Sequence, residues 1–549
     1  MRGIMVICRS EAFFFSVPMQ AKGVFEPLKA FLCLRMKALF LKWSKRFGPA
    51  AVFLILAIGW GLRVDMGAFP THIHAWTRAD QYALALGFER NGLDFFHPET
   101  FVLNAQFPDK WTSPGTTGIT ATDFPIHAYV PAVLMKVFGS RSIAFFRWYV
   151  LLFAFAGLYF LWRWARLRGF PPGHSAIVAG FVLLMPVYLY YIQEPLVSVP
   201  ALSCVFIGLF LWEKFRSDQR TPSLVGAIFW LTLAALTRTT FLIPWLALLG
   251  AETICMMQRR KVDWRIWTGF GAGAGLIVLY AWHNHNLRIE YGSQFLSSLM
   301  PSDSWSDAWE LIGLMAGYWK WHWFTVPHYL LTLVAVVYLI RYKIKNLLRL
   351  QLSAFGWFSV LGVLGSVAFF VAMMVQFRDH DYYFVDAFAV PFVVLLMAAL
   401  ARLAGKEKRL TGSVALLLFV GLVTASLSVS KVNERNQDVP WDRLGATIKN
   451  FEGVDKLLDE MGYSREAHIL VIDPGAPNVP LIQADRQGFV VMTTSKANLQ
   501  SAIQWNYEVG IYQNEWLESD ILPNWPDFME RILIVDQTEF LTFFKKREQ

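Results

Sequence analysis

An all-α polytopic membrane domain of about eleven transmembrane helices, followed by a soluble α/β domain, is the fold class this sequence predicts. Three observations carry it. Of 549 residues, 55% are hydrophobic and 17% charged, which leaves too little polar surface for a water-soluble chain. Apolar runs of membrane-spanning length recur between residues 49 and 429, with lysine and arginine clustered in alternate loops between them. After residue 430 the composition turns to that of a soluble domain.

Residues 1–47 form a basic arm, expected to be cytoplasmic, broken by Pro18 and Pro27. Its apolar stretch AFFFSVP (12–18) is too short to span and no small-residue cleavage site follows, so no removable signal peptide is expected. Met36 opens MKALFLKWSKRFG, which has the form of a natural start before a first membrane helix; residues 1–35 are read as an extension ahead of it. Crossing a hydrocarbon core of roughly 30 Å takes about 20 apolar helical residues. Eleven runs within a transmembrane domain of residues 48–430 qualify: 49–67, 143–163, 174–192, 196–212, 222–237, 239–257, 266–283, 326–340, 351–375, 387–402 and 411–429. The glycine-rich GFGAGAG (269–275) lies inside one of them, where Gly269 with Gly273 and Gly271 with Gly275 predict close helix packing rather than nucleotide binding.

Basic clusters test the topology independently. Arg163, Arg166 and Arg168; Lys214, Arg216 and Arg220; Arg259, Arg260, Lys261 and Arg265; Arg341, Lys343, Lys345 and Arg349; and Arg402, Lys406, Lys408 and Arg409 all fall on one side of the alternating runs. That side is cytoplasmic. An odd number of spans then puts the first loop, 68–125, and the domain 431–549 outside, which is periplasmic in a Gram-negative cell. A multi-pass protein of the inner (plasma) membrane is expected. The net charge of +9 belongs to these loops, so nucleic acid is not an expected partner.

In the C-terminal domain an amphipathic stretch near 442–461 precedes the strand-like runs HILVID (468–473), FVVMT (489–493) and RILIVD (531–536). The turn DPGAPN (473–478) lacks a P-loop lysine and a full glycine fingerprint, and the domain is read as a lid or acceptor-docking module. The cysteines Cys8, Cys33, Cys204 and Cys255 have no metal-type spacing. The pairs His283/His285 and His72/His74 lack a third ligand, so no metal site and no cofactor is expected and a divalent cation is not indicated.

Chemistry concentrates in the outside loops. The first carries HAWTRADQY (74–82) and TDFPIHAY (122–129), which offer Asp80 and Asp123 with Arg78 and His127 beside them. An aspartate at the bilayer centre is costly, so acids without a task there sit at the interfaces, as Asp80 and Asp123 do. Moving a sugar from a phosphate carrier to a hydroxyl needs a base for the acceptor proton and cations for the departing phosphate. Cations and polar aromatics come from QFRDHDYYFVD (376–386), with Arg378, His380, Asp381, Tyr382 and Tyr383, and from Arg238 in LTRTTF (236–241). Asp65 is a rival acid for the same work, and Glu194 in YYIQEP (190–195) could orient acceptor or sugar hydroxyls. The tryptophan-rich loop 284–325 suits an interfacial belt in contact with membrane lipids.

Residues 48–430 resemble the GT-C superfamily of membrane glycosyltransferases, in the branch of protein O-mannosyltransferases and lipid A aminoarabinose transferases. Asp80 matches the first acid after the first helix, with Gln81 where glutamate is usual; Asp123-Phe124-Pro125 matches the second acid, and NGLDFFHPET (91–100) the segment between. The resemblance implies a sugar donated from a polyprenyl phosphate at the outer leaflet, an inverting transfer to a lipid, glycan or protein acceptor, Asp80 as base and Asp123 as a positioning acid. A secondary transporter is the chief rival, although no internal repeat is apparent. A polysaccharide polymerase or ligase is the other.

Overall fold

The computed structural model describes residues 48–103, 115, 117–293, 295, 298–348, 352–406, 414–437 and 442–547. The whole N-terminal arm, with Met36, Cys8 and Cys33, lies outside them. The chain divides into two compact units, Met1–Leu56 and Ala57–Gln549. The described part of the first is helical.

In chain order the helices are α1 (Gly48–Gly61), α2 (Ala75–Arg90), α3 (Ile126–Phe138), α4 (Ala144–Leu167), α5 (Pro172–Leu183), α6 (Pro186–Tyr191), α7 (Ser198–Asp218), α8 (Thr221–Thr237), α9 (Leu242–Arg259) and α10 (Trp264–Tyr291). There follow α11 (Trp305–Tyr318), α12 (Lys320–Trp323), α13 (Val326–Leu348), α14 (Ala354–Ala372), α15 (Met374–Asp379), α16 (Tyr383–Lys406) and α17 (Val414–Arg435). Among the described residues five segments are long and apolar enough to cross a membrane: Ala144–Leu167, Ser198–Asp218, Thr239–Arg259, Ala354–Ala372 and Tyr383–Ala401. This is a membrane protein. The run expected at 174–192 is two helices, because Pro186 lacks the N–H an uninterrupted helix would use and instead starts α6.

Helix α7 is buried nearly all round, packed between α4 and α8, while α14 lies against α9 and α16. Gly269 and Gly273 of α10 face α8, and a Cβ on Gly273 would sit 2.5 Å from the Thr232 hydroxyl. Gly271 and Gly275 have open space, so only half of the small-residue pattern is a packing face.

The C-terminal chain forms α18 (Arg443–Asn450), α19 (Val454–Glu460), β1 (Ile469–Ile472), α20 (Asn478–Ala484), β2 (Gly488–Val491), α21 (Lys496–Ala502), β3 (Val509–Gln513), β4 (Ile532–Gln537) and β5 (Leu541–Lys546). The sheet order is β2-β1-β3-β5-β4. Crossovers through α20 and α21 make β1 parallel to β2 and β3, and β5 runs antiparallel to β3 and β4. The segment Phe101–Leu103 extends this sheet. Leu103 donates to the Gly488 carbonyl at 2.8 Å and Gly488 donates back to Phe101 at 3.0 Å, so Phe101–Leu103 runs parallel along the β2 edge. Leu103 enters the domain's core with Leu470, Phe489 and Trp505, while Ala75 and Ala79 of α2 pack on Ile448, Ala476 and Val479.

Candidate functional site

Helix α2 begins from a strained approach. His72 and His74 hold φ of 65° and 58°, a left-handed conformation costly for side chains with a Cβ. Arg78 clamps it: its guanidinium donates to the Ile73 carbonyl at 2.9 Å and to the Thr71 carbonyl, and stands 2.9 Å from the Glu194 carboxylate. Arg147 reaches the same carboxylate at 3.2 Å. Across this entrance, Asp381 accepts from the Tyr191 hydroxyl at 2.8 Å, lies 3.2 Å from His74 Nε2, and pairs with Arg435 at the end of α17. Burial alone would raise Asp381, but Arg435 and His74 outweigh it and hold the carboxyl well below the usual range. The His380 ring stacks on His74 at 5.4 Å, and burial followed by the charge of His74 pushes His380 down to about 3.

A second cluster forms where α8 ends. Arg238 pairs with Asp386 of α16 at 2.8 Å and lies 5.1 and 4.9 Å from the ring centres of Tyr382 and Tyr383. The TDFP segment docks on the same helix end, with Phe124 donating to the Leu236 carbonyl at 3.0 Å. From α10, the Tyr280 hydroxyl and the Asn284 amide donate to the Thr122 carbonyl at 3.1 and 2.6 Å. Asp123 thereby lines a cavity of about 240 Å³ together with Tyr280, Asn284, His285 and Arg288. Burial pushes Asp123 up to about 6, against the pull of Arg238 and with help from Asp386. Among the described residues Arg238 Nη2, Asp386 Oδ1 and Asn284 Oδ1 are buried without a hydrogen-bond partner. Each such atom costs about 1–3 kcal/mol, the kind of cost that polar groups awaiting a ligand carry.

Asp80 stands elsewhere. Its carboxylate accepts from the Asn478 side chain of α20 at 2.8 Å, and Asn478 Oδ1 in turn accepts from the Phe101 amide at 3.3 Å. Among the described residues no hydrogen bond or ion pair joins Asp80 to Asp123. Burial raises Asp80 to about 7, although the hydrogen bonds from Asn478 and Trp76 oppose it. The folded state therefore holds this proton more tightly than the unfolded chain, so its contribution to stability is full below pH 3.8 and is lost as pH rises through about 7. Thermal unfolding of Asp80→Asn should consequently fall less between pH 5 and pH 8 than that of the unsubstituted protein, by the rule that a neutral group has no ionisation to lose. Parallel pH profiles for the two proteins would refute that assignment.

Of the other residues singled out in the sequence, Arg238, Tyr382 and Tyr383 join Asp123, and Arg78, His380 and Asp381 form the entrance cluster. His127 is buried in α3 with its Nδ1 2.7 Å from the Tyr149 hydroxyl. Arg378 lies outside both clusters, its guanidinium making bonds of 2.6 and 2.7 Å to Asp379 on an exposed edge. Asp386, Arg435, Arg147, Tyr280 and Asn478 were missed. Arg435 and Asp386 carried a signal, a charge near the end of an apolar run. Asn478 carried none. No group of three or more His, Cys, Asp or Glu among the described residues is arranged to hold a metal ion.

In fold, a helical bundle joined to an α/β domain, the chain is similar to solved structures that include ArnT and an oligosaccharyltransferase. The chain is similar over 91% of its length to 98% of ArnT from Cupriavidus metallidurans in the apo state, with TM-score 0.54 and 11% identity. The ArnT structure bound to undecaprenyl phosphate gives the same TM-score and coverage at 12% identity. An Archaeoglobus fulgidus oligosaccharyltransferase tethered to an acceptor peptide matches 92% of this chain and 75% of its own, with TM-score 0.50 and 12% identity. At such identities the likeness is one of fold. No family model and no curated protein matches the sequence.

Proposed function

We propose that this protein is an integral-membrane glycosyltransferase that moves a sugar from a polyprenyl-phosphate donor to a lipid, glycan or protein acceptor at the outer face of the inner membrane. The observation that carries this reading is the cavity at Asp123, lined by that carboxylate and by the cation Arg288, with Arg238 close enough to act on Asp123 from its pairing with Asp386. An in-line, inverting displacement asks for one carboxylate to take the acceptor proton and for cations to receive the phosphate charge. Asp123 is assigned the base, Arg238 and Arg288 the phosphate, and Tyr382 and Tyr383 the orientation of Arg238. Asp80, favoured as base by the sequence pattern, is the second candidate; its carboxylate accepts from Asn478 of the C-terminal domain. The topology that accompanies this reading has about eleven spans, a cytoplasmic N-terminus and an extracytoplasmic C-terminal domain.

Purified protein should release free polyprenyl phosphate from a polyprenyl-phosphate sugar when supplied with a membrane glycan extract, and no release with donors of several sugars would count against transfer. Transport of the intact donor without cleavage would favour the transporter reading instead.

A further inference from the structure

A cleft in the C-terminal domain has no part in the site above. It lies between α21 and the ends of β4 and β5, encloses about 810 Å³, and is lined by Tyr463, Tyr507 and Trp525, by Gln500 and Gln504, and by Arg531, Lys545, Lys546 and Arg547. Its position follows from strand pairing. Lys546 and Lys545 stand opposite Ile532 and Leu533 in the β4–β5 ladder, and the Arg547 amide donates to the Arg531 carbonyl at 3.0 Å, so the cations are brought together at one sheet end.

We infer that this cleft binds an anionic saccharide, one bearing carboxylate or phosphate, as the acceptor or a segment of it. Among the described residues none of the four cations has a carboxylate partner; Lys546 instead donates to Gln504, and Lys545 lies 5.6 Å from the centre of the Tyr463 ring. Glu508 is the single acid in the lining. The Tyr507 hydroxyl is buried at the cleft without a hydrogen-bond partner. Saccharides present apolar C–H faces that aromatic rings cover and hydroxyls that side-chain amides bond, while uncompensated cations select a negatively charged one. An anionic bilayer surface suits this site less well, because its aromatic rings line a concavity instead of projecting from an exposed face. The inference deepens the acceptor side of the glycosyltransferase reading, yet it concerns binding and is measured without turnover.

The test uses the full-length protein in neutral detergent and fluorescence anisotropy with three labelled probes: a tetragalacturonate, a phosphorylated mannose oligosaccharide and a neutral dextran tetrasaccharide. At least one acidic probe should bind at least about tenfold more tightly than dextran and weaken as salt screens the cations. The triple variant Arg531→Gln/Lys545→Gln/Lys546→Gln should abolish that preference, and Tyr507→Phe, which keeps the ring, should weaken binding severalfold. Which acidic probe binds tells carboxylate from phosphate recognition. Equal affinity for dextran, unchanged binding by the triple variant, or binding only to anionic vesicles would overturn the proposal. Cleavage of the polyprenyl-phosphate donor by the unsubstituted protein separates the two failures: donor cleavage without acidic-saccharide binding refutes the cleft alone, and saccharide binding without donor cleavage refutes the transferase reading alone.

Discussion

Asparagine at Asp123 should lower sugar transfer by about 10²–10⁴-fold, the usual contribution of a positioned general base. The substitution is nearly isosteric and keeps the Phe124–Leu236 and Tyr280–Thr122 hydrogen bonds, all of which use main-chain acceptors, so donor affinity and thermal stability should change little. The loss belongs in kcat. A base works only when ionised, so the activity of the unsubstituted protein should rise as pH passes about 6, and this limb should be missing from the variant. If Asp80 is the base, the limb instead lies near 7 and Asp80→Asn is the inactive protein. Retention of more than about a tenth of the activity by Asp123→Asn would remove this residue from proton transfer.

Arg435→Met should be the most destabilising single change in the entrance cluster, by about 3–5 kcal/mol, because it leaves the Asp381 carboxylate buried without its cation. Arg435 ends α17 and Asp381 precedes α16, and the pair also receives His74 at the start of α2. Removing both charges in Arg435→Met/Asp381→Leu should recover most of the loss, since two apolar groups leave no uncompensated ion. The half-time of thermal aggregation in detergent, read for the single and the double variant, checks this. A single variant as long-lived as the unsubstituted protein would show that the ion pair does not anchor these helices.

Much of the membrane domain was legible because hydrophobic runs and basic loops are imposed by the bilayer itself, so α4, α7, α8, α9, α14 and α16 fall where the runs predict. Strands β1, β2 and β4 were legible for a related reason, short β-branched runs bounded by turns. VGIYQ and LTFFKK were not read as strands: one carries a glycine in its interior, the other ends in two lysines. The site was legible in its residue types more than in its groupings. Arg238, Tyr382 and Tyr383 come together as charges and rings at neighbouring helix ends. What no spacing reports is a long-range contact such as Asp80 with Asn478, 398 positions away, or Arg435 with Asp381. Those depend on which helix ends meet in space.

The pairing of Phe101–Leu103 with β2 also constrains how the chain is made. Its Gln487–Thr100 hydrogen bond spans 387 positions, and nearly all the bundle is synthesised in between. At about 5–20 residues per second a ribosome needs on the order of 20–80 s to deliver the partner strand. For that interval a nascent β-segment waits with its hydrogen-bonding edge open. A chain stopped after Gln437 would keep α17 with Arg435 and leave that edge unclaimed.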